Sequence, residues 1–215
     1  VNILDKNKNI LLKIDKSDYF KKSDVFKAYE NVTIDDRNNQ IVLETNEIIY
    51  DRKKEKITSI NKTKIFVKDE YIIDTSDINF LIKDNQVFSN TLTTLSDKNN
   101  NTYSAENFRY YLNKKIFRGK KLNIFTKEKD KYYFEDGVVD LVSKEVIGKD
   151  LQAYFNKQFS NNDVKTGLNE PRLKGNLGFS DEDKTIVKKG AFTVCKSRGD
   201  KCPPWVIEAR EIQHD

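Results

Sequence analysis

A single histidine, His214, stands in this sequence, second from its end. A serine–histidine–acid triad needs a histidine next to its nucleophile, and a multi-histidine metal site needs several, so neither can be built from this chain. The many Asp and Glu residues fall at polar strand positions and in turns, where solubility explains them, and the sequence reads as non-enzymatic. No glycine-rich phosphate cradle occurs, so no nucleotide or other cofactor is expected. No stretch approaches the eighteen or so apolar residues of a membrane-spanning helix. Methionine is absent, even at position 1, so the chain reads as a processed or excised piece of something longer. Two cysteines are too few for a disulfide framework, and the core has to come from packing.

Phe and Tyr are plentiful, at 13 and 10, although hydrophobic residues make up only 37% and charged ones 34%. That is too aromatic for a disordered chain. The net charge of +5 comes from 39 Lys and Arg against 34 Asp and Glu, with both signs interspersed. Nucleic-acid binders concentrate their basic residues, and the nearest approaches here, Lys114-Lys115 and Lys120-Lys121, read as solvated strand faces. No nucleic-acid partner is expected, though the positive excess favours anionic lipid phosphates.

Self-comparison is more informative. The segments "NEIIYDRKKEKI" from Asn46, "SDINFLIKDNQV" from Ser76, "ENFRYYLNKKIF" from Glu106 and "DGVVDLVSKEVI" from Asp136 are spaced by 76−46, 106−76 and 136−106, each 30 residues. A weaker copy begins at Ser17. Apolar residues alternate with polar ones in each unit, which places them on one face of a strand: Ile48 and Tyr50; Ile78, Phe80 and Ile82; Phe108, Tyr110 and Leu112; Val138 and Val142. The intervening "DRKKEK", "KDNQ", "LNKK" and "VSKE" have hairpin length and composition. Each period has room for about four strands of usual length. Only "DYFKKSDVFKAYENV", Asp18 to Val32, approaches a helical pattern, and the Asn-X-Thr triplets at Asn31, Asn61 and Asn100 read as Asn-rich turns. From about residue 160 the repeat fades, and "SNNDVKTGLNEPRLKGN" reads as loop and short strand. The expected fold is all-β and antiparallel, with end strands open to pairing.

"CKSRGDKCPPW", Cys195 to Trp205, holds both cysteines. Their spacing fits neither a zinc corner nor a thioredoxin-type pair. The Arg198-Gly199-Asp200 triplet lacks the disulfide-rich scaffold of adhesion loops. A local disulfide, a bond to a partner outside this piece, and two thiols all stay open. A local bond would contribute on the order of 2–3 kcal/mol.

The tail segments "NEPRLKGN", "KKGAFTVCK" and "CPPWVIEAREIQHD" resemble the LptD family of lipopolysaccharide-assembly proteins just before its outer-membrane barrel, and "VFKAYENVTI" and "ETNEIIYDRKKEKI" resemble the OstA-type repeats shared with LptA and LptC. The resemblance implies a periplasmic, LptA-like β-jellyroll, an open V of antiparallel strands, over residues 1–190, and a cysteine-containing junction over 191–215 leading to an absent β-barrel. It implies lipopolysaccharide as cargo, LptA as an edge-strand partner, LptE held through the barrel, and a place on the periplasmic face of the Gram-negative outer membrane. The acyl-chain lining is expected from Ile48, Tyr50, Ile65, Val67, Ile78, Phe80, Ile82, Phe108, Tyr110, Leu112, Leu122, Ile124, Val138 and Leu151. Cys195 and Cys202 match the family's cysteines and are expected to clasp locally or to join the barrel, with Trp205 packed under the last strands. A structural or adhesive β-solenoid with a filled core, or a stand-alone LptA-like bridge, are the alternatives.

Overall fold

A computed structural model describes residues 1–6, 9–68, 70–156, 169–181, 184–195 and 203–214. Among these residues every regular element is a β-strand. The fold is all-β and antiparallel, as the alternation requires. Asp18 to Val32 forms no helix: β3 (Lys16–Phe20) turns at 21–24 into β4 (Val25–Asp36).

The period of 30 marks hairpin turns. The four polar breaks are turns at 52–55, 82–85, 112–115 and 141–143. A second set alternates with the first three, at 37–40, near 68–70 and at 98–99. The strands so bounded are long where they are continuous: β5 (Ile41–Asp51), β6 (Lys56–Val67), β11 (Thr102–Tyr111), β12 (Ile116–Phe125), β13 (Lys131–Asp140) and β14 (Val146–Tyr154). The expected four short strands per period are instead strand halves, joined by a kink or separated as β7 (Tyr71–Ser76), β8 (Asn79–Leu81), β9 (Gln86–Phe88) and β10 (Thr93–Asp97). At the kinks Asn31, Asn61, Asp77, Asn107, Lys121 and Asp150 take positive φ. Asn31 and Asn61 are therefore mid-strand bends, and of the three Asn-X-Thr sites only Asn100 lies in a turn.

The turns follow from short acidic side chains. Asp36 accepts the Asn39 N–H at 3.1 Å and Asp51 the Lys54 N–H at 3.1 Å, while Asp140 accepts the Val142 N–H at 2.8 Å. A carboxylate that bonds the backbone two or three residues on nucleates the turn. Each turn then ends on a left-handed residue four positions after its aspartate: Gln40, Glu55 and Lys144. With few glycines to spare, the chain uses ordinary residues there, at roughly 1 kcal/mol each. Gln40→Gly is accordingly expected to raise stability by about 0.5 kcal/mol, and Gln40→Val to lower it by about 1–2 kcal/mol. Urea midpoints of the two variants check the opposite signs.

The chain forms two compact units, Val1–Lys98 with Ser104–Phe117, and Asn99–Tyr103 with Arg118–Asp215. In the first, β1 (Asn2–Asp5) pairs with β2 (Ile10–Lys13), and β2 and β3 pair with successive halves of β4. Pairing continues through β5 to β6, whose halves diverge at Asn61 onto β7 and β8. Asp77, between β7 and β8, accepts the Asn61 N–H at 3.0 Å and returns its own N–H to the Asn61 carbonyl at 3.1 Å. A belt of buried hydroxyls serves the same level: Thr63 donates to Ser59 at 2.7 Å, Ser59 accepts the Ile78 N–H at 3.0 Å, and Ser89 donates to the Ser76 carbonyl at 2.7 Å. These bonds satisfy backbone groups that the bends remove from the ladder.

In the second unit β13, β14, β15 (Asn169–Ser180), β16 (Thr185–Cys195) and β17 (Ile207–His214) pair in sequence order. The tail read as loop and short strand is, from Asn169, a strand of 12 residues. The boundary expected at 190/191 falls inside β16.

Candidate docking edge and apolar interior

One cross-strand row organises the interior of the first unit. Tyr19 stands opposite Phe26, Phe26 opposite Tyr50, and Tyr50 opposite Ile57. Ile57 then faces Phe80, Phe80 faces Val87, and Val87 faces Tyr110. Directly paired residues share a sheet face, so these seven form a continuous apolar line. Exposure falls along it, from 51% at Tyr19 through 7% at Ile57 and 5% at Phe80 to 0% at Tyr110, with Phe26 and Tyr50 half-buried. The line is closed at Tyr110 and open at β3.

That open end lies on an unpaired edge. Among the described residues β3 pairs only with β4 and β1 only with β2. Both strands expose apolar side chains, Ile3 and Leu4 on β1 and Tyr19 and Phe20 on β3. Lys27 lies over the Phe20 ring at 5.6 Å, and the Tyr19 hydroxyl donates to Asp24 at 2.8 Å, which holds the ring in place. The same bond raises the Tyr19 phenol above its ordinary pKa. At the other end of the chain β17 pairs only with β16 among the described residues and is largely exposed, beside an exposed Trp205-Val206-Ile207 run.

The expected lining divides by depth. Ile48, Ile65, Val67, Ile78, Phe80, Phe108, Tyr110, Leu112, Leu122, Ile124 and Leu151 are all buried by protein atoms, none above 5% exposed. Phe108 and Phe117 stack at 5.7 Å in the first unit, within that packing. Tyr50 and Ile82 are half-buried and reachable from solvent. Val138 does not belong to the inward column. It is half-exposed while Gly137, Val139 and Leu141 are buried, and Val142, expected to share its face, is 73% exposed in the turn. The left-handed turn residues explain the slip: 85−55 and 115−85 are 30, but 144−115 is 29. Counted from the turn, Gly137 and Val139 take the places of Phe108 and Tyr110. A one-residue change of register moves every side chain to the other face.

Tyr110 is the one described residue whose buried side-chain polar atom has no hydrogen-bond partner. Desolvation is the main cause that drives its phenol pKa far above the ordinary value. Alternation located this ring, and the solitary state of its hydroxyl had no signal in the sequence. The hydroxyl belt was equally missed, although Thr45, Thr63, Thr75 and Thr93 stand at inward parity in their strands.

Cys202 lies outside the described residues, so the expected pairing of Cys195 with Cys202 does too. Cys195 ends β16, and its carbonyl accepts the Arg172 guanidinium at 2.9 Å. Trp205 does not pack under the last strands: it is 43% exposed, and its carbonyl accepts the Thr193 hydroxyl at 2.9 Å.

No family model matches this chain, and no curated protein does. Among solved structures it is similar to LptH of Pseudomonas aeruginosa, described as the LptA-homologous periplasmic component of the conserved lipopolysaccharide transport device. The identity is 12% and the TM-score 0.28, over 67% of this chain and 85% of that one. So loose a superposition carries no argument, and the fold rests here on strand pairing and side-chain burial.

Proposed function

We propose that this chain is a non-enzymatic module of lipopolysaccharide transport, an LptA-like open β-jellyroll that docks a stranded partner at its N-terminal edge and passes lipopolysaccharide toward an outer-membrane barrel. The observation that supports this reading is the apolar row from Tyr19 to Tyr110, which opens to solvent at β3, a strand that among the described residues pairs only with β4. A partner strand added to β3 gains backbone hydrogen bonds and extends the row with its own inward side chains, the usual mode of β-augmentation. Lipopolysaccharide as cargo, LptA at this edge and LptE on the barrel come from the tail segments "NEPRLKGN", "KKGAFTVCK" and "CPPWVIEAREIQHD". The same segments support a place on the periplasmic face of the outer membrane. They also support a junction over 191–215, with Cys195 and Cys202 bonded to each other or to the barrel.

Acyl chains meet Phe26, Tyr50 and Ile82 without rearrangement. To reach Ile65 or Phe108 the strands must part, because those side chains are already covered. Each buried methylene returns about 0.8 kcal/mol, so a few chain segments at the mouth suffice for reversible binding. The burial of Ile48, Ile65, Ile78 and Phe108 favours a second reading, a structural β-module whose core is filled and whose edge alone is functional.

Photo-crosslinking separates the two. With p-benzoylphenylalanine at Tyr50, and at the outward Glu44 as control, lipopolysaccharide adducts are expected at Tyr50 only. If neither position yields an adduct while Tyr19 still crosslinks a stranded partner, the filled-core reading replaces the transport one.

A further inference from the structure

The exposed face of the second unit carries a groove of about 630 Å³, lined among others by Lys129, Lys131, Tyr133, Gln152, Tyr154 and Phe155. Lys131 stands opposite Tyr154 and Tyr133 opposite Gln152 across β13 and β14, so these four share one face. Phe125, Tyr133 and Tyr154 form an edge-to-face series, with centroids 6.2 and 5.8 Å apart. Tyr132 meets Phe155 edge-on at 6.0 Å and fixes that ring. Behind them, Asn156 ties the groove's rim: its N–H donates to Asp130 at 2.6 Å and its amide to the Glu128 carbonyl at 3.0 Å.

The free polar atoms of this groove are mainly donors. Neither the Lys129 nor the Lys131 ammonium has an ion pair among the described residues. Gln152 uses its carbonyl to accept the Tyr154 hydroxyl at 3.5 Å, which leaves its amide N–H groups outward. None of the groove's described lining residues carries a carboxylate, and at its rim Asp130 already accepts a backbone N–H. Aromatic surface flanked by unpaired cations and an amide suits a ligand with C–H faces, hydroxyls and a negative charge. The volume is that of a small-molecule site.

We infer that this groove binds an anionic mono- or disaccharide, a sugar bearing a phosphate or carboxylate. Single-stranded nucleic acid also combines aromatic and cationic contacts, but it requires ring faces on which successive bases stack. Here neighbouring rings are set at 86° to one another, and the guanidinium of nearby Arg172 is committed to the Cys195 carbonyl. The inference does not draw on the transport reading, since the side chains that would meet the ligand, Lys129, Lys131, Tyr133, Gln152 and Tyr154, belong to the second unit alone.

The test is an amide NMR titration of the whole chain with glucose 6-phosphate, glucose, inorganic phosphate and a thymidine tetranucleotide. Glucose 6-phosphate is expected to shift the amides of 129–133 and 152–156, with glucose and inorganic phosphate each about tenfold weaker. Tyr154→Ala should weaken glucose 6-phosphate about tenfold. Lys129→Gln with Lys131→Gln should abolish the preference for the phosphorylated sugar and leave glucose binding unchanged. Both sets of substitutions are on the surface, and unshifted amides elsewhere report an intact fold. Inorganic phosphate binding as well as the sugar phosphate, tighter binding of the tetranucleotide, or no shift with sugar in the millimolar range would each overturn the assignment.

Discussion

Gly148→Ala is expected to destabilise the protein by about 3 kcal/mol, a large loss for the addition of one methyl group. A Cβ built on Gly148 stands 2.3 Å from Phe134 Cδ1, 2.7 Å from its Cγ and 3.0 Å from the Asp136 carbonyl oxygen. Relief by a swing of the Phe134 ring is blocked, because the ring is 3% exposed and also lies over Gly178, whose added Cβ would stand 3.1 Å from Phe134 Cε1. Gly137, Gly148 and Gly178 are opposite one another on β13, β14 and β15, so three strands give up side chains where large neighbours fold across them. Removing the ring removes the two closest contacts and leaves the milder one to the Asp136 oxygen at 3.0 Å. In a Phe134→Ala background the same Gly148→Ala change should cost under about 1 kcal/mol, a strong positive coupling in a double-mutant cycle. Equal losses in both backgrounds, measured by urea unfolding, would show that the glycine serves backbone conformation instead of space.

Tyr110→Phe is expected to stabilise by about 1–2 kcal/mol, since it deletes a buried hydroxyl that has no partner while keeping the ring. Few substitutions in a packed core gain stability, so the sign alone is informative. Tyr110 is 0% exposed, and desolvation raises its phenol pKa. A tyrosine whose folded pKa lies above its unfolded value contributes stability at neutral pH that is lost as pH rises from the unfolded value through the folded one. The wild type should therefore lose more stability than Tyr110→Phe above about pH 10. Denaturant midpoints at neutral and alkaline pH measure both effects. Destabilisation by Tyr110→Phe at neutral pH would mean that the hydroxyl is bonded to an ordered water, and the interior would then be wetter than its apolar lining suggests.

The repeat made much of the first unit legible. Hairpin turns declare themselves locally, through an aspartate that bonds forward and a left-handed residue four positions later, and strands declare themselves through alternation. Ile48, Ile78 and Phe108 were found by spacing alone and are buried. The same method failed at Val138, because one residue fewer between turns reverses facing without leaving any mark in composition. It overcounted strands for a related reason: a kink at Asn61 and a turn at Asn100 have the same local chemistry, and only the partners of the flanking halves tell them apart.

By itself the sequence determined the all-β class and the spacing of the hairpins, because backbone propensity and side-chain alternation are local properties. Tertiary structure decided which apolar residues are sealed and which stay reachable, where Tyr110 loses its hydrogen bond, which strands keep an open edge among the described residues, and where aromatic rings and free ammoniums share a groove. Those depend on the residue opposite, and in an antiparallel sheet that residue is chosen by register, which no single segment contains.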